Sequence, residues 1–153
     1  MNSDFCVAVH GMVCLEYRGS ILSSEELAEN ICTNPARGRK GMALLRRGGL
    51  IHTREGKDGG YCCIEGAGRI TLCQIADALG TRFVENGWHS GGTDRECLIA
   101  SGMAEVMDAL YAQMDSLCRD RLREITLEDV ERRLRLKTGG DGKPCKSKRK
   151  EKD

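Results

Sequence analysis

Residues 34–64 read NPARGRKGMALLRRGGLIHTREGKDGGYCCI, and this stretch decides the fold. Asn34-Pro35 opens a helix: asparagine caps it, and proline at the first helical position loses no donor that the helix needs. The helix is expected to run to about Arg47 and to end at Gly48-Gly49. Leu50 to Arg54 and Tyr61 to Ile64 then read as two strands around the turn Gly56-Lys57-Asp58-Gly59-Gly60, a hairpin. Just upstream, Ser23 or Ser24 caps a shorter helix with Glu25 and Glu26 in its first turn and Leu27, Ala28 and Ile31 on its buried side. Two short helices joined by a tight turn, the second basic, make a helix-turn-helix. With a hairpin directly after it, the unit is a winged helix, and that order is more specific than either half.

Phe5, Ala8, Val9, Met12, Val13 and Leu15 recur at helical spacing, so residues 3–17 form a first helix that Gly19 stops. Ile21 and Leu22 fit a very short strand, and Thr71 to Leu79 another short helix. After an irregular stretch at 85–93, Thr93-x-x-Glu96 reads as a capping box that opens a long helix to about Arg123. Along it, Ile99, Met103, Val106, Leu110 and Leu117 make a heptad-like seam interrupted at Gln113. A helix about 45 Å long at ~1.5 Å per residue outruns a small winged-helix body, so the seam predicts a homodimer. Thr126 caps a final helix from Leu127 to about Leu136. The expected fold is mainly α with a small β-hairpin: a winged helix-turn-helix plus a long dimerisation helix. The expected division is a DNA-binding unit at 1–80, linker and dimerisation helices at 81–136, and a disordered basic tail at 137–153.

The 153 residues are 40% hydrophobic and 31% charged, enough for a packed core. Aromatics at 4% argue against a base-stacking platform. No apolar run approaches the roughly 20 residues of a membrane span, and Asp4, Glu16, Arg18 and Glu25 interrupt any signal-peptide core. A soluble, cytoplasmic protein without a membrane partner is expected. The net charge of +1 conceals segregation. Residues 33–57 carry seven Lys or Arg against Glu55 alone, and 137–153 carry seven against three acids, leaving the rest at −9. A basic block inside an acidic body is the electrostatic footprint of a polyanion-binding protein.

Nine cysteines, at 6, 14, 32, 62, 63, 73, 97, 118 and 145, include no C-x-x-C pair and are odd in number. That excludes a zinc ribbon or a thioredoxin-like site, and they read as reduced thiols acting mostly as small apolar residues. Cys6, His10 and Cys14 share one side of the first helix, a spacing that an amphipathic core face produces without any metal. Cys62 and Cys63 point to opposite faces of a strand and cannot share a metal. Trp88-His89 in the irregular stretch could line an effector pocket. No nucleotide-binding glycine loop, metal-hydrolase helix or nucleophile elbow occurs, so no enzyme is expected.

The segments Phe5-x-x-Ala8-x-His10, Ser24-x-Glu26-Leu27-Ala28, Asn34-Pro35, Gly49-Leu50, Asp58-Gly59-Gly60-Tyr61 and Cys97-Leu98 occur in this order. Over about residues 2–131 they resemble the Rrf2 (Rrf-two) family of bacterial transcription regulators, which includes the IscR, NsrR and CymR types. The resemblance implies a winged-helix homodimer joined through its long helix that represses or activates genes in response to a redox or metabolic signal. Two departures stand out. Cluster-binding members carry three cysteines before and at the start of the long helix; only Cys97 matches, and Ala100 stands where some members place a histidine. One thiolate cannot hold a cluster that needs about four ligands, so no iron–sulfur cluster, other metal or cofactor is expected. Family members usually have branched apolar residues at the first two buried positions of the basic helix, where this chain has Gly38 and Gly41.

Candidate DNA contacts follow from position. The helix start at Thr33-Asn34 can donate backbone hydrogen bonds to a phosphate. Arg37, Arg39 and Lys40 sit where a recognition helix meets base edges, and Arg54 and Lys57 flank the wing. A two-fold dimer implies a palindromic double-stranded operator, and the expected protein is a repressor. Cys32, in the turn before the basic helix, and Cys97, in the first turn of the long helix, are the candidate redox switch: a disulfide between Cys32 of one subunit and Cys97 of the other would tie reading head to dimer helix. The alternative is a winged-helix dimer that acts mainly as a protein-interaction module, its DNA binding weakened by Gly38 and Gly41.

Overall fold

The computed structural model describes residues 3–139; the basic segment 140–153, with Cys145, lies outside the described residues. Helix α1 (Ser3–Arg18) is followed by α2 (Ser24–Ile31) and α3 (Pro35–Arg47), then by strands β1 (Ile51–Arg54) and β2 (Gly60–Cys63). A 3-10 turn (Ala67–Arg69) leads into α4 (Leu72–Leu79), then come the long α5 (Leu98–Arg123) and α6 (Leu127–Thr138). The architecture is mainly helical with one antiparallel hairpin, a winged helix-turn-helix with a long helix attached.

Local chemistry explains the boundaries. Ser23 caps α2 in a closed capping box, its hydroxyl accepting from Glu26 N–H while the Glu26 carboxylate accepts from Ser23 N–H. Asn34 Oδ1 accepts from Ala36 N–H at 2.8 Å and starts α3, with Pro35 at its first position. Thr71 and Thr126 close equivalent boxes with Gln74 and Asp129 at the starts of α4 and α6. The hairpin pairs Ile51 with Cys63 and Arg54 with Gly60. Its base is pinned by reciprocal backbone hydrogen bonds between Leu22 and Tyr61, at 3.0 and 2.8 Å. Gly60 has φ +153°, and a β-carbon there would lie 2.2 Å from the Leu22 carbonyl oxygen, so the pin requires glycine.

One core holds the body together. Ala8, Met12 and Leu15 of α1 meet Leu27, Met42, Leu45, Ile51, Ile75 and Leu127, each at most 2% exposed. α1 comes so close to α3 at Gly11 that a β-carbon would sit 2.7 Å from Met42 Cε. α6 returns to this body rather than extending away: Leu72 N–H donates to Ile125 C=O, Leu127 N–H donates to Ile70 C=O, and Ile125 and Leu127 are buried in the same core. α6 runs to Thr138, beyond the expected end near Leu136, so Lys137 and Thr138 are helical rather than part of a tail.

α3 buries one helical face, Gly38, Gly41, Met42 and Leu45. A β-carbon on Gly41 would have no atom within 4 Å, and one on Gly38 would only touch Thr33 Cγ2 at 4.0 Å. Both sites can therefore take alanine, whose helix propensity is better by about 1 kcal/mol. Gly41→Ala is expected to raise the thermal unfolding midpoint by about 2–4 °C, read by circular dichroism at fixed protein concentration; a lowered midpoint would mean that α3 needs a glycine there.

The start of α5 differs from expectation. Thr93 and Glu96 form no capping box; Cys97 is the N-cap, without a side-chain cap hydrogen bond, and the helix begins at Leu98. The reason is tertiary. The segment between α4 and α5 is fastened to α5 by distant groups: Phe83 and Val84 amides donate to Asp115 Oδ1 at 2.7 and 3.1 Å, and Gly92 N–H donates to Ala100 C=O at 2.9 Å. Arg119 donates to Asp115, Asp77 and the Thr81 carbonyl. None of the residues of α5 is buried. Its apolar stripe stands bare, with Ile99 66%, Val106 57%, Leu110 44% and Leu117 68% exposed. Met114, also exposed, fills the interruption at Gln113, so the stripe 99, 103, 106, 110, 114, 117 keeps the 3.6-residue period of a straight helix.

Candidate nucleic-acid interface

The basic helix and the wing lie on connected elements. Cys32 terminates α2 in the left-handed conformation (φ 55°), Thr33 follows half-buried, and Asn34 begins α3. The turn is therefore short and fixed at both ends by hydrogen bonds. Asn34 spends its side-chain oxygen on the cap, which leaves its backbone, not its carboxamide, for any phosphate.

The cations differ in freedom. Arg39 is exposed, and no ion pair or hydrogen bond is found for it among the described residues. Lys40 is exposed, with Nζ 4.0 Å from Asp4 Oδ2. Arg37 is held: Asp4 Oδ1 accepts from its Nε at 2.8 Å and forms an ion pair with Nη2 at 2.7 Å, and the Ser3 hydroxyl accepts from Nη2. Arg54 and Lys57 are exposed on the hairpin. Arg46, at the end of α3, reaches Thr53 Oγ1 at 3.4 Å and links the helix to the wing. Between the wing and the start of α2 lies a cleft of about 370 Å³ lined by Ser23, Ser24, Thr53, Arg54 and Tyr61. The sequence did not show the pairing of Arg37 with Asp4, 33 positions away, or of Arg46, one charge of the basic block, with Thr53; no local pattern marks either contact.

The described thiols differ in exposure, with Cys62, Cys63 and Cys118 half-buried. Cys14 and Cys73 are buried. Burial, with Glu16 and Cys62 nearby, pushes the Cys63 thiol up to about 12, which keeps it protonated and unreactive. Cys6, Cys32 and Cys97 are exposed. At Cys97 the amides of Ala100 and Ile99, at the open end of α5, favour the thiolate and hold the thiol below its ordinary range. His10 hydrogen-bonds Asn30 Oδ1 at 3.0 Å, and of Cys6, His10 and Cys14 only Cys14 is buried, so the three do not share a core face. Trp88 is 75% exposed, whereas His89 Nε2 meets both Asp108 oxygens at 2.9 Å and lines a cleft of about 580 Å³ with Arg82, Asn86, Tyr111 and Arg119. Burial pushes Asp115 up, but the Val84 and Phe83 amides and the Arg119 guanidinium outweigh it and hold the carboxyl below its ordinary range. Among the described residues no helix is long and apolar enough to cross a membrane, and no group of three His, Cys, Asp or Glu is placed to hold a metal ion.

Comparison with known proteins agrees with this geometry. A Lactobacillus plantarum protein described as a transcriptional regulator is 25% identical and superposes with a TM-score of 0.76, over 92% of this chain and 99% of that one. CymR, the global cysteine regulator of B. subtilis, is 18% identical with a TM-score of 0.63 over 87% of this chain and 96% of its own. T. potens IscR, also 18% identical, gives 0.61 over 86% and 85%. No curated protein sequence matches the chain significantly. The family model for Rrf2, the iron-dependent transcriptional regulators, matches residues 1–133. A match that takes in the winged helix and all of the long helix places this chain in the Rrf2 family of transcriptional regulators, and not among enzymes.

Proposed function

We propose that the protein is a sequence-specific DNA-binding repressor that works as a homodimer and is switched by cysteine oxidation. The observation that carries the DNA reading is a capped, basic α3 whose polar face stands exposed immediately before an exposed basic wing. α3 enters the major groove, with Arg37, Arg39 and Lys40 towards base edges and phosphates. Amides at Thr33-Asn34 meet a phosphate at the helix start, and Arg54 and Lys57 follow the backbone beside the groove. The bare stripe on α5 supports pairing with a second copy, because a protein surface rarely leaves such a patch uncovered. Two reading heads related by a two-fold axis then meet a palindromic operator with half-sites one or two helical turns apart, about 34 Å or twice that. Bound across a promoter, the dimer represses by occupancy.

The family description names iron, yet the donors here do not fit an iron–sulfur cluster. Cys97 is the one thiol at the open end of α5, the segment 86–96 supplies none, and Ala100 offers only its backbone. The signal is instead assigned to thiols. Cys32 and Cys97 are exposed, and Cys97 is biased towards the thiolate, the attacking form in disulfide formation. Between subunits they lose two protons and two electrons to an oxidant and form one disulfide, which locks the spacing of the reading heads.

Anisotropy titration with duplex DNA from upstream of this protein's own gene, with and without diamide, tests both parts. Expected are binding that falls steeply with salt, a change in affinity on oxidation, and a disulfide-linked dimer on non-reducing gels that is absent from Cys32→Ser and Cys97→Ser. Binding unaffected by oxidant removes the switch alone. No specific binding, with a stable protein partner captured instead, favours the interaction module.

A further inference from the structure

The acid on the reading face is Asp4. It stands in the first turn of α1, yet its carboxylate reaches across to α3, where Oδ1 accepts from Arg37 Nε at 2.8 Å and lies 2.7 Å from Nη2, and Oδ2 lies 4.0 Å from Lys40. The Ser3 hydroxyl accepts from the same Nη2. A carboxylate facing DNA repels phosphates, and an exposed ion pair adds little to stability, so neither nucleic-acid affinity nor folding accounts for this arrangement. Its effect is on direction. An unrestrained arginine swings to the nearest phosphate; a guanidinium held along its Nε–Nη2 edge by a carboxylate keeps one orientation and has less freedom to lose on binding. With that edge occupied, the Nη1 amino group is the end left open, and displacing the Ser3 hydroxyl frees a hydrogen of Nη2 beside it. Two parallel N–H groups at the end of a fixed arginine match the O6 and N7 acceptors of guanine in the major groove.

We infer that Asp4 is a specificity-determining positioning residue: by holding Arg37 from the side, it makes that arginine a reader of guanine rather than a binder of phosphate. The inference rests on the reading of α3 as a recognition helix and adds to it a residue from another helix and the base it selects.

The test is selection from a library of duplexes with a randomised central segment, sequenced after binding to the full chain, for the wild type, Arg37→Ala, Asp4→Asn and Asp4→Glu. The wild type is expected to enrich a two-fold related motif with one guanine per half-site that Arg37→Ala no longer requires. Asp4→Asn should relax that same position by about tenfold and leave the other positions unchanged. Its affinity for mixed non-specific duplex should hold or rise, since a negative charge has gone, and Asp4→Glu should restore part of the guanine preference. A merely structural role for Asp4, through the α1 dipole, would lower the unfolding midpoint and weaken all sequences equally. An Asp4→Asn protein that keeps the wild-type guanine preference overturns the inference, as does an Arg37→Ala protein with an unchanged motif; in both cases DNA recognition by α3 stands. If the wild type enriches no motif, the recognition-helix reading itself fails, and the inference with it.

Discussion

Leu110→Glu is expected to give a folded monomer that no longer binds an operator. Leu110 lies midway along the α5 stripe and is 44% exposed in the single chain, so a charge there costs the isolated subunit little. In a two-fold interface the same change appears twice and buries two carboxylates without partners, which costs several kcal/mol. Sedimentation should show a wild-type dimer replaced by a monomer at equal concentration, with helical content unchanged by circular dichroism. Operator affinity should fall by more than a hundredfold, because a single reading head holds one half-site. Val106→Glu, one turn earlier and 57% exposed, should behave alike. A dimer that survives both changes would place the subunit contact elsewhere, and a variant that unfolds would mean that α5 packs within its own subunit.

Arg39→Ala is expected to weaken specific binding by about 2 kcal/mol, roughly thirtyfold, and to relax preference at one base pair. Lys40→Ala should weaken binding to every sequence and reduce the slope of log affinity against log salt by about one per site. The contrast follows from the side chains: arginine presents a planar fork that pairs with two acceptors, whereas lysine is a hydrated point charge. Both residues are exposed on α3, and neither takes part in the core, so the unfolding midpoint should not move. Anisotropy titrations across a salt series measure both effects. Unchanged affinity in the double variant would remove α3 from the DNA surface.

The two glycines in α3 bear on the same helix from its other side. They leave space rather than a clash, and the helix still forms over Pro35–Arg47 with caps at both ends. Filling Gly41 with alanine should therefore stabilise the reading head without altering what it reads, since the substituted face points into the body.

Much of the fold was legible in the sequence. Ser23 with Glu26, Asn34 with Ala36 and Thr126 with Asp129 are hydrogen-bonded pairs two or three residues apart, and the glycines after α3 and inside the wing act through their own dihedral angles. Gly38, Gly41, Met42 and Leu45 likewise share the buried face of α3 by their spacing, because helix geometry alone fixes it. The same kind of local signal misled at Thr93 and Glu96. There Gly92 N–H donates to the Ala100 carbonyl oxygen, and Asp115 fastens the same segment further upstream at Phe83 and Val84; a capping box worth about 1 kcal/mol does not compete with those hydrogen bonds. The candidate site divides in the same way. That Arg37, Arg39 and Lys40 share a basic helix before a wing is a property of the sequence. That Arg39 has no ion pair among the described residues while Arg37 is held by Asp4, and that the thiol of Cys97 meets the open end of α5, were decided by tertiary structure. Caps, turns and helical faces act over a few residues and can be read along the chain. Asp4, which holds Arg37, and Asp77, which meets Arg119, lie more than 30 positions away from those arginines and become their neighbours only after α1 and α3, and α4 and α5, have packed.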